Sequence, residues 1–155
     1  MELLADLLKD TVLGLSSSPV VQVAPAESIG ATIEAMRAQR SGCALVIEGG
    51  RLRGIFTERD VLTRVLTKDL PTTEPITSVM TPDPVTVRPE DSVAEVVRRM
   101  HAGGHRHLPV VDGQGGLVTV VSVKAVVCYL VEHFPRAIYS LPPDPAQIQT
   151  AREGA

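Results

Sequence analysis

The sequence is poor in aromatic residues and in net charge. Of its 155 residues only 3% are aromatic, with two Phe, two Tyr and no Trp. So few aromatic side chains leave little surface for stacking the bases of single-stranded nucleic acid. The formal net charge of −3 supplies no field that would attract a polyanion. We therefore expect no nucleic-acid partner.

Cysteines and long apolar runs are also scarce. Cys43 and Cys128 are far apart and fit no metal-ligand spacing, so we expect two buried thiols in a reducing compartment. The N-terminus carries acids where a signal peptide would carry lysines, and no apolar run is long enough to span a bilayer. The sequence predicts a cytoplasmic protein with no membrane partner.

Aliphatic residues build a unit that is predicted to be β-α-β-β-α. Residues 20–23 indicate a strand, and a helix begins at Ser28. Residues 44–47 form a continuous apolar run typical of a buried strand, and residues 52–57 form its hairpin partner. A second helix, from Glu58, closes the unit.

The same order of elements then repeats. Ser28 and Ser92 are 64 positions apart, as are Ala44 and Leu108, while Leu52 and Leu117 are 65 apart. The second copy thus has one extra residue in its glycine-rich turn and begins with a predicted strand at 84–87. Ser92 with Glu95 predicts a complete capping box. The predicted core-facing helix positions are Ile29, Ile33 and Met36 in one copy and Val93, Val97 and Met100 in the other.

This repeat predicts the domain organisation. We place the copies at residues 13–66 and 79–131, after an amphipathic N-terminal helix in residues 1–12. Residues 132–155 are rich in proline, and we expect an extended tail over the body of the protein. A single copy of about 60 residues would be marginally stable alone, so we expect the two to pack together.

The turn at residues 54–60 allows two interpretations. Thr57 and Asp60 have the spacing of a helix capping box. The same residues also suit a ligand, because a helix N-terminus favours an anion and a carboxylate accepts hydrogen bonds from a sugar diol. The residues alone leave both interpretations open.

Three segments resemble the CBS domain family. Residues 78–87 resemble the segment that leads into such a domain, residues 106–112 its central strand, and residues 54–60 its nucleotide-binding turn. The resemblance implies an α/β (α+β) fold in which two CBS-type repeats pack as a pseudo-twofold pair, a Bateman module. It also implies homodimers and clefts for AMP, ADP, ATP or S-adenosylmethionine as regulatory ligands, with no obligatory cofactor.

Ligand-binding positions follow from this resemblance. Those implied for the first cleft are Thr57, Asp60, Gly54, Phe56, Arg59, Thr77, Val79, Met80, Arg106, His107, Leu108 and Pro109. Those implied for a second, weaker cleft are Ser122, Lys124, Gly42 and Cys43. The second copy has Ala125 in the place of Asp60, so the ribose diol loses its charge-assisted partner there.

The sequence therefore predicts a regulatory module that senses an adenine nucleotide and signals to a separate effector protein. Two alternatives remain: an enzyme that processes nucleotides with Asp60 and the histidines, and a structural dimerisation module whose cleft stays empty. His101, His105 and His107 lie close together, but no nearby Cys or acid except Asp112, across a turn, could complete a metal set, so we favour phosphate contact or packing for them. We expect no catalytic residue and no metal site.

Overall fold

A computed structural model describes residues 2–134 of the chain, in which the first copy is β-α-β-β-α and the second is α-β-β-α. The predicted path of the tail falls outside the described residues from 135 onward. The elements are α1 (Glu2–Lys9), β1 (Val21–Val23), α2 (Ile29–Ala38), β2 (Cys43–Glu48), β3 (Arg51–Thr57), α3 (Glu58–Asp60), which continues as a π-helix over Val61–Leu66, β4 (Thr81–Pro82), α4 (Val93–Gly103), β5 (His107–Val111), β6 (Leu117–Ser122) and α5 (Val123–His133).

The two sheets differ in extent. The first has the order β1-β2-β3-β4, with β1 parallel to β2 and the other pairs antiparallel. The second consists of β5 and β6, and the predicted strand at 84–87 is wrong. Only Val87 pairs there, in a parallel bridge to Val110. Pro84 has no N–H to donate to a ladder, and the chain around it lines a cleft instead.

Each copy completes the core of the other. We call residues 11–19 and 75–83, which are 64 positions apart, the two lead-in segments. Ile76 and Val79, from the second lead-in segment, lie in the first copy's core, and Ile76 N–H donates to Glu27 O at 2.7 Å. Val12, from the first, lies in the second copy's core, and its N–H donates to Asp91 O at 2.9 Å. The copies are therefore interlocked.

The core-facing stripes of α2 and α4 differ from the prediction at one position. Thr32 and Val96 are fully buried, whereas Val97 is 41% exposed and Ile33 is half-buried. The buried positions thus follow an i, i+3, i+7 pattern. Ser92 caps α4, since its Oγ accepts from the N–H of Glu95 at 3.2 Å.

The predicted reciprocal bond of that capping box is replaced by ion pairs. The Glu95 carboxylate accepts from Arg98 at 2.7 Å and from Arg99 at 2.6 Å. Hydrogen bonds from these two guanidinium groups lower the pKa of Glu95 to about 2. The Glu95 carboxylate therefore binds two arginines of its own helix instead of the N-cap N–H.

The N-terminal helix belongs to the second copy's surface. Leu7 packs against the core that contains Val12 and Tyr129, and Val93 N–H donates to Asp10 O at 2.9 Å. The Tyr129 hydroxyl donates to the Asp10 carboxylate. Burial, together with this carboxylate, raises the pKa of Tyr129 to about 12. The helix therefore docks on its own chain.

Interlocking predicts a large stability effect at the lead-in segment. Ile76→Ala should lower the free energy of unfolding by about 2–5 kcal/mol, because it leaves a cavity in the other copy's core. The exposed neighbour Thr77→Ala should change it by less than about 0.5 kcal/mol. Urea unfolding of both variants measures this, and equal effects would contradict the interlocked core.

Candidate functional site

A cleft of about 360 Å³ lies between the two copies. Three regions form it: the β3–α3 turn, β4 with the residues after it, and the loop from α4 into β5. Its polar or charged lining residues are Thr57, Glu58, Arg59, Asp60, Arg64, Thr81, Asp83, His105, Arg106 and His107, and the others are Gly42, Ile55, Pro84, Val85, Gly103 and Gly104.

Thr57 and Asp60 form the predicted capping box at the centre of this cleft. The Thr57 N–H and hydroxyl both donate to Asp60 Oδ2, at 2.9 and 2.8 Å. Thr57 Oγ1 in turn accepts from the Asp60 N–H at 3.4 Å. The threonine's one hydroxyl proton is therefore used to orient the carboxylate.

Asp60 retains capacity for a ligand. Its side chain is only 11% exposed, and its Oδ1 lies 3.2 Å from Arg64 Nε. A carboxylate offers about four lone-pair positions, of which Oδ2 uses two and Oδ1 one. One acceptor position on Oδ1 thus remains for a hydroxyl group in the cleft.

Arg64 is a lining residue that the sequence analysis missed. It pairs with Asp60 and also donates through Nη1 to the carbonyl oxygens of Val79 and Met80, at 2.9 and 3.0 Å. The usable signal was its spacing, because residues i and i+4 of a helix lie side by side and Arg after Asp makes a favourable pair.

Arg106 and His107 supply the opposite wall. Arg106 is exposed, and no described acid forms an ion pair with it. His107 packs against Gly42, where an added Cβ would lie 2.8 Å from His107 Cε1. Burial lowers the pKa of His107, with Glu58 opposing and Arg106 reinforcing the shift. At neutral pH, Arg106 is therefore the cation of this pair.

Arg59 and Asp83 extend the wall on either side. Arg59 Nη1 donates to Gly104 O at 3.3 Å and so connects α3 to the end of α4. Asp83 N–H donates to Arg53 O at 3.1 Å, which holds the lead-in segment on β3. The sequence analysis assigned no role to Glu58 or Asp83, because no motif distinguishes them from other surface acids.

Seven of the predicted first-cleft residues lie outside the lining. Phe56, Val79 and Leu108 are core residues, 0%, 2% and 1% exposed. Pro109 is buried in β5 opposite Val120. Thr77 is exposed.

The remaining two, Gly54 and Met80, support the cleft from behind. A Cβ at Gly54 would lie 2.4 Å from Met80 Sδ, so this glycine lets the lead-in segment pack closely on β3. Gly42, predicted for the second cleft, lines the first one. Five predicted residues are thus brought together in the first cleft: Thr57, Arg59, Asp60, Arg106 and His107.

In the corresponding region of the second copy, the first lead-in segment makes two hydrogen bonds through serine side chains. Ser122 is 8% exposed, and its Oγ accepts from Ser18 Oγ at 2.9 Å. Ser41 Oγ donates to Pro19 O at 3.1 Å. The first bond holds the first lead-in segment on the turn that contains Ser122, and the second holds it on the loop between α2 and β2.

The charged groups of the first cleft are also missing there. By the 64-residue offset, Gly42 and Cys43 are the counterparts of Arg106 and His107. Burial raises the pKa of the Cys43 thiol to about 11, so it stays neutral. Cys128 is only half-buried, contrary to the expectation for both thiols. Lys124, the counterpart of Arg59, is exposed.

Residues 2–134 contain neither a membrane-spanning helix nor a metal-ligand cluster. No helix in this range is long and apolar enough to cross a membrane. No group of three or more His, Cys, Asp or Glu side chains there could hold a metal ion. The histidines of the α4–β5 region therefore do not assemble such a set.

Similarity to known proteins matches this architecture. The CBS domain family matches the chain at residues 10–67 and again at 68–132. The CBS domain-containing protein CBSCBSPB1 of Arabidopsis thaliana is 38% identical over 105 residues, which cover 67% of this chain and 19% of that protein. The chain thus spans about a fifth of the length of such a relative.

Two solved structures share the fold. A CBS domain protein from Pyrobaculum aerophilum complexed with AMP is 24% identical, with a TM-score of 0.69 over 79% of this chain and 98% of that one. The cytosolic domain of the Mg²⁺ channel MgtE in complex with ATP is 26% identical, with a TM-score of 0.67 over 79% of this chain and 49% of that one. The chain therefore belongs to the CBS domain family and contains two CBS domains in tandem.

Proposed function

We propose that the chain is a regulatory module that binds one adenine nucleotide, of the AMP, ADP or ATP class, in the first cleft. The observation that carries this proposal is the grouping of a single oriented carboxylate, Asp60, with the cation Arg106 across one cleft between the copies. Its volume of about 360 Å³ lies within the range of small-molecule sites. The cytosolic domain of MgtE, 26% identical, holds ATP.

The ribose belongs at Asp60 in this proposal. The free acceptor position on Oδ1 takes one ribose hydroxyl, and Thr57 orients the carboxylate rather than contacting the phosphate. The adenine lies against the apolar lining, Ile55, Pro84 and Val85. Val85 is 46% exposed, so a base placed on it would cover apolar surface that water now contacts.

The phosphate belongs at Arg106 and His107, with Arg59 nearby. The lining holds three arginines and three acids, so its formal charge is balanced when the histidines are neutral. Such a balance favours a nucleotide with few phosphates, because each added phosphate meets no further unpaired cation. AMP is therefore the best match within the class.

Two alternatives make different demands on the same cleft. A nucleotide-processing enzyme needs an acid or base free to act on the ligand, whereas Asp60 already accepts three hydrogen bonds or ion pairs. A structural module with an empty cleft needs no aligned carboxylate at all. Incubation with ATP tests the first alternative by turnover, and thermal shift tests the second, since a ligand at a hundred times its Kd stabilises by about 2.7 kcal/mol.

An apolar outer surface supports assembly into a homodimer. Leu62 and Leu66, on the helix that closes the first copy, are 60% and 65% exposed. In the second copy, Val127 on α5, which matches Leu62, is 51% exposed, and Val97 on α4 is 41% exposed. Because both copies present this face, a twofold contact with a second chain would cover it. We propose that dimer and ligand together form the surface that an effector protein recognises.

Removing Arg106 should separate phosphate binding from nucleoside binding. We expect Arg106→Ala to weaken AMP about tenfold and adenosine less than twofold, and the AMP loss to shrink as salt is added. The matched control is Lys124→Ala, an exposed cation at the second copy's turn, which should leave both affinities unchanged. Calorimetry measures them, and equal losses of AMP and adenosine would assign Arg106 a packing role.

Removing the charge of Asp60 should weaken AMP binding strongly. We expect one AMP per chain in the wild type, and Asp60→Asn should bind about ten- to a hundredfold more weakly, because a hydrogen bond to a charged group contributes about 1.5–3 kcal/mol. Ser122→Ala, at the matching turn of the second copy, should not alter affinity or stoichiometry. Two equal sites per chain would contradict the proposal.

A homodimer predicts a molecular mass in solution of twice the chain mass. Light scattering after size exclusion should give about twice 16.5 kDa for the wild type. Leu62→Glu should give the monomer mass, because a charge on the shared face costs desolvation. Leu13→Glu is the control, since Leu13 is 64% exposed but lies outside this face. A wild-type monomer at tens of micromolar would rule out the dimer.

A further inference from the structure

Arg64 joins the carboxylate of the cleft to the second lead-in segment. Its Nε lies 3.2 Å from Asp60 Oδ1, and its Nη1 donates to Val79 O and Met80 O at 2.9 and 3.0 Å. The next residues along the chain are β4 and Asp83, and Thr81 and Asp83 line the cleft opposite Asp60. One side chain therefore contacts both the Asp60 carboxylate and the segment that leads directly into Thr81 and Asp83.

The internal repeat provides a comparison within one chain. The counterpart of Arg64, 65 positions later, is Tyr129, and the counterpart of Asp60 is Ala125. The acid and its arginine are thus present together in one copy and replaced together in the other. Tyr129 instead bonds to Asp10, the residue before the first lead-in segment, so a closing helix can be fixed in place without an arginine. This co-substitution associates Arg64 with the carboxylate rather than with folding.

Burial distinguishes this pair from an ordinary surface ion pair. The Asp60 side chain is 11% exposed and that of Arg64 39%, whereas in the Arg37–Glu34 pair both are at least 70% exposed. Exposed pairs contribute little, but a carboxylate withdrawn from water needs a partner to stay charged and fixed in place. Without Arg64, Asp60 Oδ1 would have no partner on the protein among the described residues.

We propose that Arg64 is a positioning residue for nucleotide binding and that it links ligand occupancy to the lead-in segment. It holds Oδ1 so that the remaining acceptor position meets the ribose, and it holds the carbonyls of Val79 and Met80 so that β4 completes the opposite wall. This inference rests on the proposed nucleotide site.

The binding test compares Arg64→Met with Arg64→Lys, using AMP and adenosine as probes. We expect Arg64→Met to weaken both ligands by the same factor, about tenfold, because it acts through the ribose partner. Arg64→Lys should stay within about threefold of the wild type, because an ammonium group can still pair with Asp60. A loss confined to AMP would mean a direct phosphate contact and would overturn the proposal, as would unchanged affinities in both variants.

A second measurement needs no ligand. The Met80 N–H donates to Ile76 O at 2.9 Å, and the Asp83 N–H to Arg53 O, so amide hydrogen exchange at these residues reports how firmly the lead-in segment is held. Arg64→Met should speed both exchanges at least threefold. Arg98→Met is the control, because Arg98 is an exposed ion-paired arginine outside the cleft. Unchanged exchange in Arg64→Met would refute the link.

These outcomes separate the two levels of the proposal. If the wild type binds neither AMP nor adenosine, the nucleotide site is wrong, while the exchange result still decides whether Arg64 holds the lead-in segment. If the wild type binds and AMP slows exchange at Met80 there but not in Arg64→Met, occupancy is transmitted through Arg64. If Arg64→Met does not fold, Arg64→Lys is used in its place for the exchange measurement with AMP. If AMP slows exchange in Arg64→Lys as much as in Arg98→Met, the link is supported. If AMP does not slow exchange in Arg64→Lys, the link is refuted.

Discussion

The structure depends on the exchange of lead-in segments between the two copies. Val12 is 1% exposed in the core of the second copy and Ile76 is 0% exposed in that of the first, so neither core is complete without a residue that precedes the other copy. A side chain of this size contributes about 2 kcal/mol or more by its burial. The pair must therefore fold as one unit, and the cleft is a direct consequence, since β4 reaches the first sheet only because its segment has crossed over.

Exchange also explains why the site has walls from both copies. The chain that leaves the first core at Val79 passes directly through β4, along β3, and emerges at Asp83 in the cleft. The first copy contributes Asp60 and the second contributes Arg106 and His107. A ligand that contacts all of these necessarily bridges the copies, so its binding free energy opposes their separation.

The sequence predicted the elements whose signals are local or repeated. Spacing predicts three helix caps, the hairpins and the alignment of the second copy with the first. The caps are at Ser28, Thr57 and Ser92, and the 64-residue offset means that a pattern seen in one copy can be checked against the other. The prediction for Val97 is wrong because an apolar stripe through Ile33 and Val97, at i+4, matches the sequence as well as the observed stripe through Thr32 and Val96, at i+3. Apolar type alone does not tell which side of a helix faces a core when both sides are aliphatic.

The site was predicted less completely, for reasons that differ by residue. Thr57, Asp60 and Arg106, which the motif positions single out, line one cleft in the structure. Phe56 and Leu108 were placed at the ligand although strand residues alternate faces, and these two point into the cores. Glu58 and Asp83 carry no motif.

The two copies share the residues that interlock them and differ in the polar turn between strand and helix. Both copies retain the residues that interlock them, such as Val12 with Ile76 and Leu15 with Val79 at matching positions. The polar turn has changed: Ser122 keeps its cap to Ala125 N–H at 3.2 Å, but its oxygen also accepts from Ser18. A hydroxyl that caps a helix satisfies a local requirement in both copies. Only the first copy combines that cap with an acid and an arginine, so the cap is the shared structural element and the Asp60–Arg64 pair is what distinguishes the turn that lines the cleft.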